Sequence, residues 1–507
     1  MLGRKSLLVF TSLVATFALQ LVGMLFITHY FDLQVYGTIT WALSFVATFD
    51  ALANLGFNTA HIKRISEGRD LADCVSTFAV VKLSLTAIMA FTVLFATYVW
   101  GTLLGHYINQ ESFDLILIFL VYQVMYDMVS IAILTFNAKT EMAKAYLVNL
   151  LDPLARIPLI IILSLGGGNI VELALTYIVG SSAVLIVGLL LLKRERIKWK
   201  RPTMYRTYLA FAAPVALITI METLGNNMDK LLIGAIGNPT DVGLYAAGKY
   251  LLCGLGAVGL AISLNLFPAF SRHHAQGDSA EIRRIARQAE RFTSFLVMPL
   301  VIVIILFPTE LCVFLFGPSY SDAGESLRYL SIATLVIILN QAYLASILAI
   351  NRPGINARIT ILDFSVFLVL MLFFIPTTLW GVKGLGLSFV GAAIAAALTS
   401  FITMSVTRIM VRVLTGTNPN PRMLLHIMAG LATGLVLAFL TTNFPVVHMV
   451  DLVIYTVLAY LIFELVLYLA HELRREDIRY FLEVVNLAGM LRYIANEFHR
   501  KDGQAKQ

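Results

Sequence analysis

The chain has 507 residues, of which 59% are hydrophobic and 13% are charged, and its formal net charge is +7. Soluble domains carry about 25% charged residues, so this composition excludes a soluble protein of this length. The basic balance does not indicate nucleic-acid binding, because lysine and arginine fall mainly in alternate connections between apolar blocks, as membrane topology requires.

The apolar residues form fourteen blocks of about 20 residues, the length at which a helix spans the hydrocarbon core. They predict an all-α polytopic membrane protein with about fourteen transmembrane helices, and the alternating pattern of a membrane β-barrel is not seen in the sequence. In chain order, the segments are predicted at 7–29, 36–60, 74–98, 113–136, 146–165, 170–192, 207–235, 242–270, 291–316, 325–350, 358–378, 384–407, 423–442 and 449–470.

Lysine and arginine are concentrated on one side of the predicted membrane. Of the 37 basic residues, 31 fall in one set of connections. The opposite set contains only Arg328 and Lys383, and the other four lie within predicted spans. Positively charged connections remain in the cytoplasm during membrane insertion. We therefore predict a multi-pass cell-membrane protein with both termini in the cytoplasm.

Four cations, Lys82, Arg156, Lys230 and Lys249, fall within predicted spans. A charge at the centre of a spanning helix costs about 2.5–3.5 kcal/mol on insertion scales, so such residues usually face a bundle interior or a water-filled cavity. We therefore predict a polar cavity within the first twelve helices, as in a transporter. The structural alternative is that each cation neutralises a nearby carboxylate, as Asp152 would neutralise Arg156 at a spacing of four residues.

A weak internal repeat divides the chain. Segments two and eight begin with the similar stretches DLQVYGTITWA and PTDVGLYAAGK. Each half has six segments, so the halves have the same orientation, and repeats of this kind place a substrate site between them. The predicted domains are two pseudo-symmetric six-helix bundles at 1–200 and 201–415, two extra transmembrane helices at 416–470, and a cytoplasmic amphipathic tail at 471–507.

Short motifs occur in a fixed order along nearly the whole chain. They read FDLQVYG at 31–37, NLGFNTAHIKRISEG at 54–68, Pro214 followed by DKLLIG at 229–234 and VGLYAA at 242–247, WGVKGLG at 380–386, and REDIRYFLEVV at 475–485. In this order they resemble polysaccharide flippases of the multidrug/oligosaccharidyl-lipid/polysaccharide exporter superfamily. The resemblance implies alternating access and movement of a polyprenyl-(pyro)phosphate-linked oligosaccharide from the cytoplasmic to the outer leaflet, for surface polysaccharide or protein glycosylation.

A cargo of this kind has an anionic headgroup, which lysine and arginine attract strongly in a low-dielectric cavity. Relatives that flip the peptidoglycan precursor carry cavity cations on helices that include three and eight, where this chain has Lys82 and Lys249. The predicted headgroup-binding residues are Lys82, Lys249, Lys230 and Arg156.

Acidic residues within the spans are candidates for ion coupling, because a carboxylate in this setting can exchange protons. Some relatives also bind sodium through acids on helices seven and eleven, where this chain has Asp229 and Asp363. The predicted proton- or sodium-coupling residues are Asp50, Glu222, Asp229 and Asp363, with structural pairing as the alternative.

Two other functions compete with this interpretation. A drug/cation antiporter of the same superfamily would fit the twelve-helix core. A membrane glycan polymerase or ligase would need a nucleophile–base arrangement or a metal-ligand cluster, and neither is seen in the sequence. We therefore predict a non-enzymatic protein with no cofactor other than Na⁺ or H⁺. Its predicted partners are the lipid-linked oligosaccharide, membrane lipids and glycosyltransferases or a polymerase of the same pathway, with no nucleic acid.

Overall fold

The computed structural model describes residues 2–102, 110–350, 352–379, 381–418 and 420–472. This part of the chain is almost entirely helical, with one short 3₁₀ turn at Pro318–Tyr320 and one hairpin of two-residue strands, β1 (Thr378–Leu379) and β2 (Val382–Lys383). The helices are α1 (Leu2–Tyr30), α2 (Leu33–Asn54), α3 (Phe57–Ser66), α4 (Leu71–Thr102), α5 (Gln110–Ala138), α6 (Met142–Gly166), α7 (Ile170–Arg194), α8 (Tyr205–Ile236), α9 (Pro239–Leu251), α10 (Cys253–Ala275), α11 (Ser279–Leu306), α12 (Pro308–Phe316), α13 (Ala323–Ala349), α14 (Pro353–Phe374), α15 (Ser388–Thr415), α16 (Met423–Asn443) and α17 (Met449–Leu469).

Twelve of the described helices are long and apolar enough to cross a membrane, namely α2, α4 to α8, α11 and α13 to α17. The other two predicted segments correspond to α1, with its apolar stretch Ala15–Tyr30, and to the successive helices α9 and α10. The prediction of an all-α polytopic membrane protein is confirmed. The terminal face is defined here as the side that carries the start of α1 and the end of α17, and the other side is the opposite face.

Three predicted segments are not single continuous helices. Segment two was predicted to reach residue 60, but α2 ends at Asn54, where Leu55 and Gly56 adopt the left-handed conformation with φ of 36° and 77°. Segment eight divides at Leu252 between α9 and α10. Segment nine divides at Phe307, because Pro308 begins a new helix and cannot donate a backbone hydrogen bond to the preceding turn.

Helices α1 to α7 pack on one another, with α5 against α7 and α6 between α1 and α7. Their shared core is apolar and includes Met89, Ile116 and Phe119. In the second half, α13 is central and packs against α10, α11 and α15, while α14 packs against α8 and α15. The described helices therefore form two packed groups, and the division into bundles at residue 200 stays a prediction.

Helix α8 contacts both groups. Near the terminal face its Tyr208 is buried, and the Tyr208 hydroxyl donates to the Cys74 carbonyl at 3.2 Å and hydrogen-bonds to His61 at 3.0 Å. The buried His61 also hydrogen-bonds to Thr135 at 3.0 Å. Farther along, near Gly225, the same helix packs against α14. The first turns of α8 are thus part of the core of the first group.

The two groups approach each other most closely where α2 meets α8 and α9, near the opposite face. A Cβ atom at Gly37 would overlap the backbone carbonyl of Pro239, and one at Gly234 would overlap the Trp41 ring. Small residues at helix interfaces permit this close approach of backbones. The groups are therefore closed against each other on that side of the molecule.

The two extra helices, α16 and α17, pack on each other and against α11. Their apolar contact with α11 includes Met298, Ile302 and Tyr455. Beyond α17, Glu472 accepts from Arg422 at 3.0 Å and lies 3.1 Å from the Arg291 guanidinium. These ion pairs fix the end of α17 to α11 and to the start of α16. The predicted amphipathic tail at 471–507 lies, from residue 473, outside the described residues.

Candidate functional site

The four cations predicted within the spans belong to three polar clusters between helices. The Lys82 cluster comprises Lys82, Asp127 and Asp50 with their hydrogen-bond partners. The Arg156 cluster comprises Arg156, Asp152 and Tyr177, and the Lys249 cluster comprises Lys249, Lys230, Asp229 and Tyr245. By position along the helices, the Lys82 cluster is nearer the terminal face and the Lys249 cluster nearer the opposite face.

Lys82 of α4 is fully enclosed, with a side chain that is 1% exposed. Its Nζ lies 2.7 Å from Asp127 Oδ1 on α5 and donates to Asn54 Oδ1 at 2.8 Å and to the Ala53 carbonyl at 3.1 Å. An ammonium group has three donors, and all three are used. In this conformation Lys82 pairs with a carboxylate and has no free donor. This arrangement agrees with the alternative that Lys82 neutralises a nearby carboxylate.

Asp50 on α2 lies in the same cluster. Its carboxylate accepts from Gln123 Nε2 at 2.9 Å and from Asn54 Nδ2 at 2.5 Å, and Thr86 Oγ1 donates to Asp127 at 3.2 Å. Among the described residues, this cluster thus has two carboxylates and one lysine, which pairs with Asp127. A buried surplus of negative charge is costly unless it is balanced.

Arg156 and Asp152 form an ion pair within α6, at 2.9 Å between Nη2 and Oδ2. The guanidinium also lies over the ring of Tyr177 on α7, 4.1 Å from its centre, an arrangement that stabilises a cation. Gly180 packs against Asp152 so closely that a Cβ would overlap the carboxylate. Within the described part of the chain, Arg156 Nε and Asp152 Oδ1 are buried and have no hydrogen-bond partner. The pair therefore retains donor and acceptor capacity.

Asp229 of α8 is 1% exposed and forms an ion pair with Lys249 of α9. The Tyr245 hydroxyl donates to Asp229 Oδ2 at 2.9 Å, and the backbone N–H of Lys230 donates to Oδ1 at 2.8 Å. The Lys249 side chain remains 37% exposed, the most accessible of the three cations found in ion pairs here. With Lys230 nearby, this cluster has two lysines for one carboxylate and is positively charged.

The break between α9 and α10 lies beside this cluster. Lys249 is in the last turn of α9, and Leu252 separates the two helices. Tyr250 stacks on Phe17 of α1, with ring centres 5.8 Å apart, so the end of α9 contacts the first group. The Lys249 cluster therefore lies beside the boundary between the two helix groups. Broken helices at such boundaries form substrate sites in many transporters.

The remaining predicted coupling residues lie apart from these clusters. Asp363 of α14 accepts a hydrogen bond from Thr403 of α15 at 2.6 Å. Glu222 is exposed on α8, and none of the hydrogen bonds or ion pairs in the described part involves it. In the same part, no group of three or more His, Cys, Asp or Glu side chains could hold a metal ion.

Sequence reasoning missed the uncharged members of the clusters and one further ion pair. Gln123 and Tyr177 lie within predicted spans. The signal that could have identified them is an uncharged polar residue in an otherwise apolar block. Arg408 falls just outside predicted segment twelve, but it lies on α15 and pairs with Glu290 of α11 at 2.6 Å. Its guanidinium stacks 3.4 Å above the ring of Tyr343 on α13. This pair fixes three helices of the second group together.

The chain is similar to proteins of polysaccharide and glycan biosynthesis. A family model described as "Polysaccharide biosynthesis protein" matches residues 32–325. The curated relative "Probable low-salt glycan biosynthesis flippase Agl15" from Haloferax volcanii is 21% identical over 403 residues, which cover 78% of this chain and 81% of the relative.

Two kinds of solved structure share the fold. A lipid II flippase MurJ in an inward closed conformation has a TM-score of 0.71 at 14% identity, covering 92% of this chain and 98% of that chain. An inward-facing multidrug resistance MATE family transporter of the MOP superfamily has a TM-score of 0.58 at 14% identity, covering 80% of this chain and 96% of that chain.

Proposed function

Because the chain belongs to the polysaccharide biosynthesis protein family, we propose that it is a flippase for a lipid-linked oligosaccharide. The cargo is an oligosaccharide joined through phosphate or pyrophosphate to a polyprenyl lipid. It moves from the cytoplasmic to the outer leaflet, for surface polysaccharide assembly or protein glycosylation. Two similar proteins, one named as a glycan biosynthesis flippase and one as a lipid II flippase, support this substrate class.

The observation that supports this function most strongly is the positive Lys249 cluster at the boundary between the helix groups. A flippase must give an anionic headgroup a charged path while the lipid remains in the bilayer. Lys249 is partly exposed beside a helix break, and Lys230 adds a second positive charge there. In a medium of low dielectric constant this pair of lysines would attract a phosphate strongly.

The hydrogen bonds of Asp229 allow Lys249 to change partners. When Lys249 moves to a phosphate, Asp229 keeps the hydrogen bonds from the Tyr245 hydroxyl and the Lys230 amide. The buried carboxylate is therefore never left without donors. Arg156 could join from the first group, since its Nε is free among the described residues and a guanidinium binds phosphate through two hydrogen bonds. We assign Lys82 a structural role instead.

We propose that transport uses alternating access and is coupled to protons or sodium. The close contact of α2 with α8 and α9 corresponds to a state closed at the opposite face. Asp50 is our first candidate for the coupling group, because its cluster has two carboxylates for one lysine. Asp229, Asp363 and Glu222 are the alternatives.

We also propose that the protein lies in the cell membrane with its terminal face in the cytoplasm, in agreement with the basic connections on that face. Glycosyltransferases or a polymerase of the same pathway are its expected protein partners. On this assignment the protein is a transporter and not an enzyme.

A drug/cation antiporter is the second candidate, since a MATE transporter shares the fold. The MATE transporter covers 80% of this chain, compared with 92% for the lipid II flippase. Proton- or sodium-driven export of organic cations by proteoliposomes would favour the antiporter. Glycan polymerisation by the purified protein would favour the third candidate, a membrane polymerase or ligase.

The direct test is flipping of a fluorescent polyprenyl-pyrophosphate oligosaccharide in proteoliposomes. Lys249→Met alone would be ambiguous, because Asp229 would keep its hydrogen bonds but lose the lysine that pairs with its buried charge, which destabilises the protein. The informative variant is the neutral pair Lys249→Met with Asp229→Asn. We expect this pair to insert and melt like the wild type but to lose flipping.

The matched control is the buried ion pair of Arg408 with Glu290, which lies outside the three clusters and is neutralised in the same way with Arg408→Met and Glu290→Gln. We expect this control to keep flipping. Full flipping by the Lys249–Asp229 double variant would remove Lys249 from the site and leave the flippase assignment intact. No flipping by wild type, with competent liposomes and a range of glycans, would contradict the assignment itself.

A further inference from the structure

The connection between α7 and α8 carries the densest positive charge in the described part of the chain. The basic strip, defined as residues 193–206, contains seven lysines and arginines in fourteen positions. One of them, Lys200, pairs with Asp70. The strip's single acid, Glu195, pairs with Lys139 and Lys144. The other six cations are exposed and have no ion-pair partner among the described residues: Lys193, Arg194, Arg196, Lys198, Arg201 and Arg206.

Several cations elsewhere on the terminal face are used for contacts within the protein. In α11, Arg284 pairs with Glu281, and Arg283 donates to the Thr415 carbonyl at 3.0 Å. At the start of α16, Arg422 pairs with Glu472 at 3.0 Å. Other exposed cations on this face, such as Arg69, Arg272 and Arg352, are also unpaired among the described residues, but they are scattered, whereas the basic strip holds six within fourteen positions.

The strip also presents aromatic side chains and is held in a fixed place. Trp199 is 64% exposed, and Tyr205 is exposed as well. The Lys200 amide donates to Ser76 Oγ at 3.0 Å, and the Thr203 amide donates to Asp73 Oδ1 at 3.2 Å. These hydrogen bonds fix the strip along the start of α4. Tryptophan and tyrosine prefer the headgroup level of a bilayer, where an apolar ring and a polar edge are both solvated.

We propose that the basic strip is a binding surface for anionic phospholipid headgroups of the surrounding leaflet. The six free cations supply charge complementarity, and Trp199 supplies the interfacial anchor. Lysines and arginines beside a membrane surface attract anionic lipids within a Debye length. This surface lies on the outside of the first helix group, against α4, and is separate from the Lys249 cluster. The inference does not depend on the transported substrate.

The test uses the fluorescence of Trp199 in nanodiscs. The other tryptophans, Trp41, Trp100 and Trp380, are replaced with phenylalanine. Two nanodiscs of identical composition contain equal amounts of phosphatidylglycerol and phosphatidylcholine, with brominated chains on only one of the two lipids. We expect quenching by brominated phosphatidylglycerol to exceed quenching by brominated phosphatidylcholine by about threefold at low salt, and the excess to shrink as salt is raised.

Two variants that lose the same number of positive charges distinguish an effect of the basic strip from an effect of the whole terminal face. Arg194, Arg196 and Lys198 to glutamine should bring the quenching ratio close to one. The control replaces Arg352, Arg358 and Arg412 with glutamine; these exposed cations lie on the same face in the second group, and the ratio should persist. Native mass spectrometry of phosphatidylglycerol bound to proteins with all tryptophans intact gives the same comparison if the phenylalanine background does not fold.

Several outcomes would overturn the proposal. Equal quenching by the two lipids in the parent protein would mean that the strip does not select anionic lipid. No quenching by either lipid would place Trp199 away from the bilayer and favour an acidic protein partner. An equal fall of the quenching ratio in both charge variants would show a general effect of net charge.

Discussion

Lys82 illustrates how an ammonium group becomes a structural element inside a membrane. All three donors have acceptors from α2 and α5, and the side chain is 1% exposed. Removing one partner of a buried ion pair leaves the other partner as an uncompensated charge. Lys82 therefore contributes to stability mainly because it neutralises the buried charge of Asp127.

We expect Lys82→Met to lower the free energy of unfolding by about 3–5 kcal/mol, because Asp127 would remain buried and unpaired. Adding Asp127→Asn should recover most of that loss. Thermal unfolding in detergent measures both effects. Lys383→Met is the control, since Lys383 is exposed in the β-hairpin. A double variant as unstable as the single one would mean that Lys82 stabilises the fold by packing and not by charge.

A glycine makes the closest contact between the helix groups. At Gly37 an added Cβ would overlap the Pro239 carbonyl, a backbone atom that cannot rotate away. We expect Gly37→Ala to separate α2 from α9 at a cost of about 1–3 kcal/mol, as other overpacked interfaces do. A cysteine at the buried Thr38, in a background without other cysteines, should then become accessible to a membrane-impermeant maleimide.

The control for this experiment is Gly256→Ala, where an added Cβ would meet no atom within 4 Å. It should leave the cysteine protected. Labelling that is unchanged by Gly37→Ala would show that the interface tolerates the methyl group, and the close contact would then have no role in keeping the opposite face closed.

At the scale of helices and connections, the ends of α5, α6 and α7 meet in a network of two lysines and two glutamates on the terminal face. Glu141 lies 2.7 Å from both Lys139 and Lys144, and Glu195 pairs with the same two lysines. Hydrogen bonds from Lys139 and then from Lys144 hold the pKa of Glu195 below its ordinary value. The network therefore joins three helices and depends on pH.

A carboxylate with a lowered pKa stabilises the fold fully above its unfolded-state pKa, and this contribution is lost as pH falls through the folded-state pKa. Glu195→Gln should therefore lower the melting temperature at pH 7, and its difference from wild type should shrink as the pH falls below about 4.3, the ordinary pKa of glutamate. Melting curves across this range test the prediction. The exposed Glu325 provides the control: Glu325→Gln should change little at any pH.

Much of the helical architecture could be predicted from the sequence, because apolar blocks of about 20 residues have few alternatives to spanning helices. The break at Leu252 could not be predicted. The residues around it, YLLCG at 250–254, include no proline, and a single glycine is compatible with a membrane helix. The structure ends α9 at Leu251 and begins α10 at Cys253, and nothing in this local sequence explains the division.

The candidate site was partly predictable for the same reason. Charges inside apolar blocks identified the cations, and a spacing of four residues identified the pair of Asp152 with Arg156. The partners of Lys82 and Lys249 lie on other helices, and the chain offered several carboxylates for each. The choice among them is made by helix packing, which a single sequence does not specify.

At the scale of the whole molecule, alternating access requires the two faces to move in opposite directions. Spin labels on Arg69 and Arg352 report the terminal face, and labels on Gly166 and Ser319 report the opposite face. We expect substrate or coupling ions to shorten one distance while the other lengthens, as measured by double electron–electron resonance. A pair within the first group, Arg69 with Arg194, should remain unchanged.

Movement of both reporter pairs in the same direction would contradict alternating access, since it would describe swelling of the protein. A change in the internal control pair would contradict the treatment of the first group as a rigid body. Only reciprocal changes with a constant control agree with the proposed transport cycle.

The burial of Tyr208 implies an order in which the two halves of the protein fold. The first group needs the Tyr208 hydroxyl to complete the hydrogen bonds of His61 and of the Cys74 carbonyl. During synthesis, N-terminal parts of a chain begin to fold before later parts emerge. A nascent chain that has reached residue 200 therefore holds seven helices with an unfinished core. The first half should reach its mature packing only when the helix that opens the second half has entered the membrane.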